Sequence, residues 1–395
     1  MEIIIRKYAR TLSDGLQTHI NQFRFYVSLP LAGYGDDMNE WHGELPDGWA
    51  EFPRLNVRRS RVFAGTAEGN SYNHHQSICR FRDRYVVAWS SAPDHEDSPG
   101  QEVRYSSSPD AGQWETDRTI VATDPASGVV RNQAGLYADE DYVYCFVGYT
   151  EPHAMERPGM TSIVSRDMRL DVYRSADLTS WEAFTGIAEQ VYLFEAPRRT
   201  RDGKLLCCGT NHRDRSEASM LLWDDPADPT RPPRVVQVSG AANGIHPHQG
   251  SWYQADDGRI WMWQRDGGNL TRLGLTWSDD GGETWSEMVS TDFPNTFSRA
   301  HAGRLGDGRC YLIGNNFDQF LNRHHLHLAL SDDGGCFDRM YTVVQGETAR
   351  RVRGQHKENG YHYPNSIADG ERLLVVYSVN KEDVEVGVVD VRSFE

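Results

Sequence analysis

The chain has 395 residues, including 11 Trp and 18 Tyr, and its formal net charge at pH 7 is −16. This negative charge argues against a nucleic acid as a partner, although an anionic ligand is still compatible with it if Arg and His side chains converge locally. No window of 18 apolar residues is present, so we expect no membrane partner either.

The first residues and the cysteines indicate the compartment. Residues 1–7 lack the apolar core of a signal peptide. The six cysteines include no Cys-x-x-Cys pair, and most lie in strand-like apolar runs. We predict reduced core thiols in a cytoplasmic protein, with a secreted or periplasmic protein whose signal peptide was removed as the alternative.

The N-terminal part of the chain differs in composition from the rest. Residues 29–53 are rich in Gly, Pro and Asp, which predicts an extended arm. We expect residues 1–395 to form a single domain, because no linker or low-complexity tract interrupts them. Residues 1–70 are then an N-terminal arm or closing strand, or they form a further repeat.

From residue 74 onward, a pattern recurs six times: a polar start segment, a turn that often contains Asp-Gly, and an apolar strand. The start segments begin at His74, Asn132, Glu195, His248, Ser298 and Tyr363. The apolar strands that follow span residues 85–89, 143–147, 204–208, 260–263, 310–313 and 373–377. The repeats lie about 60 residues apart, which is the length of one four-stranded β unit with its loops.

A second repeat is a turn motif. Residues 277–285 read WSDDGGETW, and looser copies occur at residues 108–114 (SPDAGQW), 175–181 (SADLTSW) and 331–337 (SDDGGCF). In such a turn the Ser and Asp side chains bond local backbone groups, Gly supplies positive φ, and the aromatic residue packs beneath the strands. A turn repeated at this interval predicts a radial all-β array.

These turns resemble the Asp-boxes (BNR repeats) of the sialidase-like β-propeller superfamily, near sialidases and propeller polysaccharide lyases. The resemblance covers about residues 70–390 and, with six copies, implies a six-bladed propeller of four-stranded antiparallel blades. A seven-bladed propeller is the alternative. Asp-box turns join the third and fourth strands of a blade, so the first strands start on the opposite face, where propellers bind ligands at the axis.

The strand starts and loops of that face supply the candidate site. The candidate catalytic residues are His75, His248, Tyr363, Tyr149 and Glu195. The candidate substrate-binding residues are Gln76, Gln133, Arg198, Gln249, Arg265, Arg299, His301 and Asn365. Titratable rings at an axis indicate acid–base chemistry, although such side chains can also only fill a channel with hydrogen bonds.

The resemblance can be followed residue by residue. Arg265 falls where the family has a carboxylate-binding arginine, and Tyr363 resembles its nucleophilic tyrosine. Gln249 falls on its catalytic glutamate, and His74-His75-Gln76-Ser77 stands in place of the Arg-Ile-Pro motif. Since an amide cannot take a proton from tyrosine, a true sialidase is not the first expectation.

We therefore expect an enzyme that cleaves a glycosidic bond in an acidic, uronate- or sialate-like oligo- or polysaccharide. The first hypothesis is β-elimination with His75 or His248 as base and Tyr363 or Tyr149 as acid. An exo-acting, sialidase-like hydrolase that uses Glu195 with Asp94, Glu96 or Asp97 is an equal alternative. A non-catalytic glycan-binding propeller is the third.

No cofactor is expected to be required. His246-Pro247-His248 and His74-His75 do not have the spacing of a zinc motif. A structural divalent metal ion assembled from several blades, or Ca²⁺ at loop carboxylates, is the alternative.

Overall fold

The computed structural model describes residues 52–150, 168–211, 217–239, 244–268, 271–317 and 319–394. These residues form 25 strands and two short 3₁₀ helices, Pro125–Ser127 and Val391–Ser393. The strands make six antiparallel sheets. No helix within the described ranges is long and apolar enough to cross a membrane.

The sheets follow one another along the chain as blades I to VI. The first described strand, β1 (Val57–Ala64), belongs to the last of them. Blade I consists of β2 to β5, which span Tyr72–Phe81, Arg84–Ala92, Glu102–Ser108 and Arg118–Val121. Blade II consists of β6 to β9, which span Val130–Ala138, Val143–Thr150, Met168–Ser175 and Glu182–Glu189. Blade III consists of β10 to β14, which span Val191–Leu193, Arg198–Arg199, Leu205–Asn211, Glu217–Trp223 and Arg234–Ser239.

The second half of the chain repeats the plan. Blade IV consists of β15 to β18, which span Pro247–Gln254, Ile260–Asp266, Arg272–Ser278 and Val289–Pro294. Blade V consists of β19 to β22, which span His301–Arg304, Cys310–Gly314, His325–Ser331 and Arg339–Gln345. Blade VI consists of β23 to β25 followed by β1, and β23 to β25 span Tyr361–Asp369, Arg372–Val379 and Asp383–Asp390. The predicted six-bladed, all-β propeller is confirmed.

Two details depart from simple repetition. In blade III the innermost position is shared by β10 and β11, which both pair with β12. In blade VI the outermost strand is β1, which pairs antiparallel with β25 from Val57↔Val389 to Ala64↔Asp383. The start and the end of the ring are therefore joined by backbone hydrogen bonds. The predicted arm at residues 29–53 lies almost wholly outside the described residues.

The core lies between the blades. Six clusters of buried apolar side chains each combine residues of two neighbouring blades. One of them joins blade VI to blade I through Val376, Val386, Val87 and the fully buried Trp89. Because every blade buries both of its faces, apolar burial holds the ring closed.

The four Asp-boxes all connect the third and fourth strands of a blade, in blades I, II, IV and V. In the box of blade IV, Ser278 Oγ accepts from the Gly282 N–H at 2.8 Å, and Asp280 Oδ1 accepts from the Thr284 N–H at 2.9 Å. Gly281 adopts a φ of +76°. Because the strands of each blade are antiparallel and these turns follow the third strand, they lie on the face opposite the starts of the innermost strands.

The six cysteines are free thiols, five of them buried.

Candidate active site

Four innermost strands, β2, β6, β15 and β23, carry a β-bulge near their start, where the pairing register shifts. In β2, β15 and β23 the first bulged residue has a positive φ. These residues are His75 at 53°, Gln249 at 59° and Tyr363 at 48°. A bulge turns a side chain away from the ordinary alternation of a strand, and a positive φ is strained for non-glycine residues. Strain repeated at equivalent positions of three blades marks a candidate functional site.

The phenol oxygen of Tyr363 is a point of convergence. Arg265 Nη1 donates to it at 3.0 Å, and Gln249 Nε2 donates to it at 3.2 Å. The same Arg265 nitrogen donates to Gln249 Oε1 at 2.8 Å, and the guanidinium lies 3.5 Å from the centre of the Phe297 ring. Tyr363 Oη is thus an acceptor for two donors, which is the arrangement that stabilises a phenolate.

The charges around Tyr363 act in the same direction. Burial raises the pKa of the phenol, but Arg265, Arg323 and Lys381 outweigh burial, and the pKa of Tyr363 lies below its usual value. The guanidinium carbon of Arg323 and the ammonium nitrogen of Lys381 lie 5.5 and 5.8 Å from the centre of the ring. Burial without these cations would favour the neutral phenol.

Carboxylates hold two of these cations in place. Glu358 Oε2 accepts from Arg323 Nη1 at 2.7 Å and lies 3.5 Å from Lys381 Nζ. Lys381 Nζ also donates to Glu96 Oε2 at 2.9 Å. Both cations are about 97 % buried, so these ion pairs fix their positions.

The loop between β3 and β4 supplies two carboxyl groups with different protonation. Burial raises the pKa of Glu96, but Lys381 and His75 outweigh burial and lower it, so Glu96 is ionised. Burial and the neighbouring Glu96 carboxylate raise the pKa of Asp97 to about 8. Asn132 Nδ2 donates to Asp97 Oδ1 at 3.1 Å, and the side chain keeps some contact with solvent. Asp97 therefore holds a proton at neutral pH and can deliver it.

His74 and His75 lie beside these groups as neutral rings. Burial lowers the pKa of both, that of His75 to about 4. His74 Nδ1 contacts Ser378 Oγ at 2.8 Å, and its ring centre lies 4.4 Å from that of Tyr363. His75 Nε2 lies 3.5 Å from Glu96 Oε1.

Within the described ranges, one cluster groups three side chains that can ligate a metal ion. It consists of His74, His75 and Glu96, whose potential ligand atoms lie within 4.8 Å of one another. The ammonium of Lys381 neutralises Glu96 at 2.9 Å, so a divalent cation would have to bind beside another cation. The charges suit proton transfer better than metal binding.

The structure brings four of the predicted residues together: His75, Gln249, Arg265 and Tyr363. A fifth, Gln76, positions them, because its Nε2 donates to the backbone oxygens of Tyr363 and His362 at 2.6 and 3.0 Å. Its amide thereby fixes the strained backbone from which the phenol projects.

Glu195 lies in a saturated buried network. Its carboxylate accepts from Arg198 Nη2 at 3.0 Å, from Ser251 Oγ at 2.5 Å and from Cys208 Sγ at 2.9 Å. Its side chain is 1 % exposed. These contacts make Glu195 an organising charge between blades III and IV.

Three predicted substrate-binding residues lie toward the other end of the channel. Arg198, His301 and Asn365 line a cavity of about 250 Å³ on the Asp-box side of the inner strands. His301 Nδ1 contacts Ser366 Oγ at 2.9 Å, and Asn365 Oδ1 accepts from the Ile78 N–H at 3.4 Å. Their side chains join inner strands to one another.

The remaining candidates are more dispersed. The centre of the Tyr149 ring lies 3.6 Å from the guanidinium carbon of Arg169. The His248 ring packs edge-on against the Phe194 ring, with 5.6 Å between the two ring centres. The side-chain amide of Gln133 contacts Ser77 Oγ at 2.7 Å. The sequence also predicts further loop residues on the ligand-binding face, and these lie outside the described residues: His153, Arg157, Arg166, His212 and Arg213.

Sequence analysis missed Arg323, Glu358 and Lys381. Arg323 belongs to the loop between β20 and β21, and Lys381 belongs to the loop between β24 and β25. These loops join second to third strands, as do the loops that supply other candidates. In blade V the sequence predicts Asn316 from the same loop as Arg323, and the corresponding loop of blade VI supplies no candidate. A wider use of the same rule would have found both cations.

Residues 83–376 match the family described as BNR repeat-like domain. The chain belongs to this family. No curated protein matches the chain.

Solved structures with similar folds cover most of the chain at low sequence identity. A protein of unknown function from Dyadobacter fermentans DSM 18053 is 17 % identical, with a TM-score of 0.64, and the match covers 86 % of this chain and 99 % of that one. A structure described as a sialidase is 17 % identical, with a TM-score of 0.59, and the match covers 86 % of this chain and 33 % of that one. A Trypanosoma rangeli sialidase in complex with 2,3-difluorosialic acid is 15 % identical, with a TM-score of 0.57, and the match covers 86 % of this chain and 57 % of that one. The match thus covers nearly all of the Dyadobacter fermentans protein but only a third to just over half of these sialidases.

Proposed function

We propose that this propeller is a glycoside hydrolase that removes a carboxylate-bearing sugar from a glycan through a covalent intermediate on Tyr363. The observation that carries the proposal is the environment of the phenol oxygen. It accepts from Arg265 and Gln249, and three cations lower the pKa of Tyr363 despite its burial. A tyrosine whose pKa is lowered in this way forms its nucleophilic phenolate more readily and depends less on a separate base.

Asp97 supplies the complementary group. Its raised pKa leaves it protonated at neutral pH, as a general acid requires. In the first step the Tyr363 oxygen attacks the anomeric carbon, the glycosidic C–O bond breaks, and Asp97 gives its proton to the leaving oxygen. In the second step Asp97 takes a proton from water, the water oxygen attacks the same carbon, and the Tyr363 phenolate leaves. Two displacements retain the anomeric configuration.

The role of Gln249 follows from this mechanism. A carboxylate at this position would accept the phenol proton, whereas the amide donates a hydrogen bond to the phenol oxygen. Activation by Arg265, Arg323 and Lys381 replaces activation by a base. The substitution of an amide for the family's glutamate is therefore compatible with a nucleophilic Tyr363.

An acidic sugar is the substrate class that suits the charges. Arg265, Arg299, Arg323 and Lys381 surround the site, against the ionised Glu96 and Glu358. Among the similar folds, Trypanosoma rangeli sialidase has been solved with sialic acid and with 2,3-difluorosialic acid as a covalent intermediate. We extend only the general class, a carboxylate-bearing sugar, to this chain.

β-Elimination is the second candidate, and His75 favours it. The His75 ring is neutral, and its Nδ1 is buried without a hydrogen-bond partner. The centres of the His75 and Tyr363 rings are 5.9 Å apart. A neutral imidazole can take the C5 proton of a uronate while a neighbouring acid protonates the leaving oxygen. In this reading Tyr363 or Asp97 is the acid.

Product analysis on sialate- and uronate-containing glycans tests the proposal. Hydrolysis gives a new reducing end without absorption near 235 nm. A sugar fluoride that carries a second fluorine on the carbon next to the anomeric carbon should leave a mass adduct on Tyr363 that Tyr363→Phe abolishes. An unsaturated product at 235 nm would instead support elimination, with His75→Gln inactive. Binding without any product would leave a glycan-binding propeller and refute the enzymatic proposal.

A further inference from the structure

The backbone of Asp97 is held in a strained conformation by a buried amide. Asp97 has a φ of 56° in the loop between β3 and β4, and its N–H donates to Gln101 Oε1 at 3.0 Å. A positive φ costs a non-glycine residue free energy, so it persists only where surrounding contacts maintain it. Gln101 is fully buried, and its own N–H donates to the backbone oxygen of Ser98 at 3.0 Å. The loop that carries the acid is therefore held by Gln101.

Backbone groups determine which way the Gln101 amide faces. Its oxygen accepts from the Asp97 N–H, which can only donate, and its nitrogen donates at 3.0 Å to the Arg131 backbone oxygen, which can only accept. The reverse orientation would break both hydrogen bonds. Gln101 Nε2 also donates to Asn132 Oδ1 at 2.6 Å. The orientation of the first amide thus determines the orientation of the second.

The Asn132 side chain consequently presents its nitrogen to Asp97. Asn132 is 1 % exposed, and its Nδ2 donates to Asp97 Oδ1 at 3.1 Å. The carboxyl oxygen that accepts this hydrogen bond is the carbonyl oxygen of the acid form, so the proton resides on Oδ2. After the proton has left, the same bond stabilises the carboxylate. The two amides therefore determine which oxygen delivers the proton and how stable the resulting anion is.

Charged and titratable groups also face Asp97. Burial and the Glu96 carboxylate raise the pKa of Asp97 to about 8, whereas the Asn132 hydrogen bond and the Lys381 ammonium act in the opposite direction. Tyr72 and Tyr192 also lie close enough to interact with it. Burial raises the pKa of both phenols well above the usual value, so both are neutral. Replacing Asn132 by an apolar residue would thus change the hydrogen bonding of Asp97 without changing the charge of the site.

We propose that Asn132, oriented by Gln101, is a positioning residue that holds Asp97 as the proton donor of this site. The inference rests on the proposed function, because it names the residue that controls the acid of the Tyr363 centre. It applies equally to β-elimination with Asp97 as the acid. Asn132 acts through Asp97 and not on the substrate itself.

Carbon-13 NMR of the aspartate carboxyl groups tests the inference without turnover. The resonance of Asp97 is assigned by its loss in Asp97→Asn, and its titration is followed in the parent protein and in Asn132→Leu. Because the donor that stabilises the carboxylate is lost, we expect the pKa of Asp97 to rise by about one unit or more. Asn315→Leu is the matched control, since it removes another buried amide, which donates to the backbone oxygens of His325 and Tyr361. The control should leave the titration of Asp97 unchanged.

Kinetics separate positioning from a structural effect. In Asn132→Leu, kcat on natural glycans should fall at least about tenfold, and kcat on aryl glycosides with good leaving groups should fall much less. The acid form of Asp97 then persists to higher pH, so the falling limb of the pH–rate profile should move to higher pH as well. A merely structural effect would lower both rates equally, and that result would overturn the inference.

The outcomes distinguish this inference from the proposed function. An unchanged pKa of Asp97 in Asn132→Leu overturns the inference even if the parent enzyme hydrolyses glycans. A raised pKa supports it even if no glycan is cleaved, in which case the proposed function fails alone. Should Asn132→Leu fail to fold, the isosteric Asn132→Asp keeps the oxygen that accepts from Gln101 but turns a carboxyl oxygen toward Asp97. The pKa of Asp97 should then rise as well, because two facing carboxyl groups do not ionise together, and an unchanged value would overturn the inference.

Discussion

The side-chain amide of Gln249 in blade IV donates a hydrogen bond to the phenol oxygen of Tyr363 in blade VI, at 3.2 Å across the channel. Both residues occupy the first bulged position of their strand with positive φ. An amide donor at this place stabilises the ionised form of the phenol, where a carboxylate would destabilise it.

Replacing Gln249 by Glu should therefore raise the pKa of Tyr363. The phenolate would then form only at higher pH. The rising limb of kcat/KM against pH should therefore move to higher pH by about one unit or more. Ultraviolet titration of the phenol and the pH–rate profile both report this shift. Gln249→Met, which removes the donor without adding charge, should shift the limb less and in the same direction. An unchanged profile in both variants would contradict a phenolate role for Tyr363.

Asp97 should set the falling limb of the same profile. Its pKa is raised to about 8, so the acid form is present below that pH and activity should decline as the pH rises through it. Asp97→Asn should lower kcat at least about 100-fold on natural glycans and abolish the limb near pH 8. Aryl glycosides, whose leaving groups need little protonation, should lose much less. A variant that keeps full activity on both substrate types would exclude Asp97 as the acid.

Gly135 should tolerate no side chain. Its φ is +150°, and a Cβ there would lie about 2.5 Å from backbone atoms of Ala196. Gly135→Ala is expected to cost about 2–4 kcal/mol in the free energy of unfolding, since backbone has to move at a contact between blades II and III. Gly306→Ala is the matched control, because its Cβ would meet only one atom, at 3.9 Å. Equal denaturation midpoints in urea for the two variants would refute the expected clash.

The Asp-box aromatic of blade IV should matter for stability and not for binding. Trp285 packs against the core between blades III and IV, and its indole N–H donates to Gly282 O at 3.0 Å. Because the ring is only partly buried, Trp285→Ala should cost about 1–3 kcal/mol, less than a fully buried tryptophan would. Urea unfolding measures this, and ligand affinity at low temperature should be unchanged. A loss of affinity at unchanged stability would assign the box a functional role.

The repeat pattern and the Asp-boxes were sufficient to predict the fold. Each box is held by bonds between residues two to four positions apart, such as Ser278 Oγ to Asp280 Oδ1 at 2.8 Å. Interactions this short in sequence can be recognised from local composition. The spacing of the apolar strands then determines the number of blades. The alignment of Gln249, Arg265 and Tyr363 with family positions likewise depends on local motifs, and these three residues do meet in the channel.

Only the tertiary structure decided how these groups are ionised and which other residues join them. Lys381 and Glu96 are 285 positions apart and form an ion pair, and Arg323 reaches the Tyr363 ring from another blade. The pKa of a buried group depends on the distances to all neighbouring charges, and a propeller assembles those charges from loops of every blade. The repeat pattern placed Glu195 and Arg198 at a strand start of the ligand-binding face. In the structure they form an ion pair with each other and both contact Ser251. The sequence could not predict this pairing, because the innermost strand of blade III is divided into β10 and β11 and packing between blades sets the directions of its side chains.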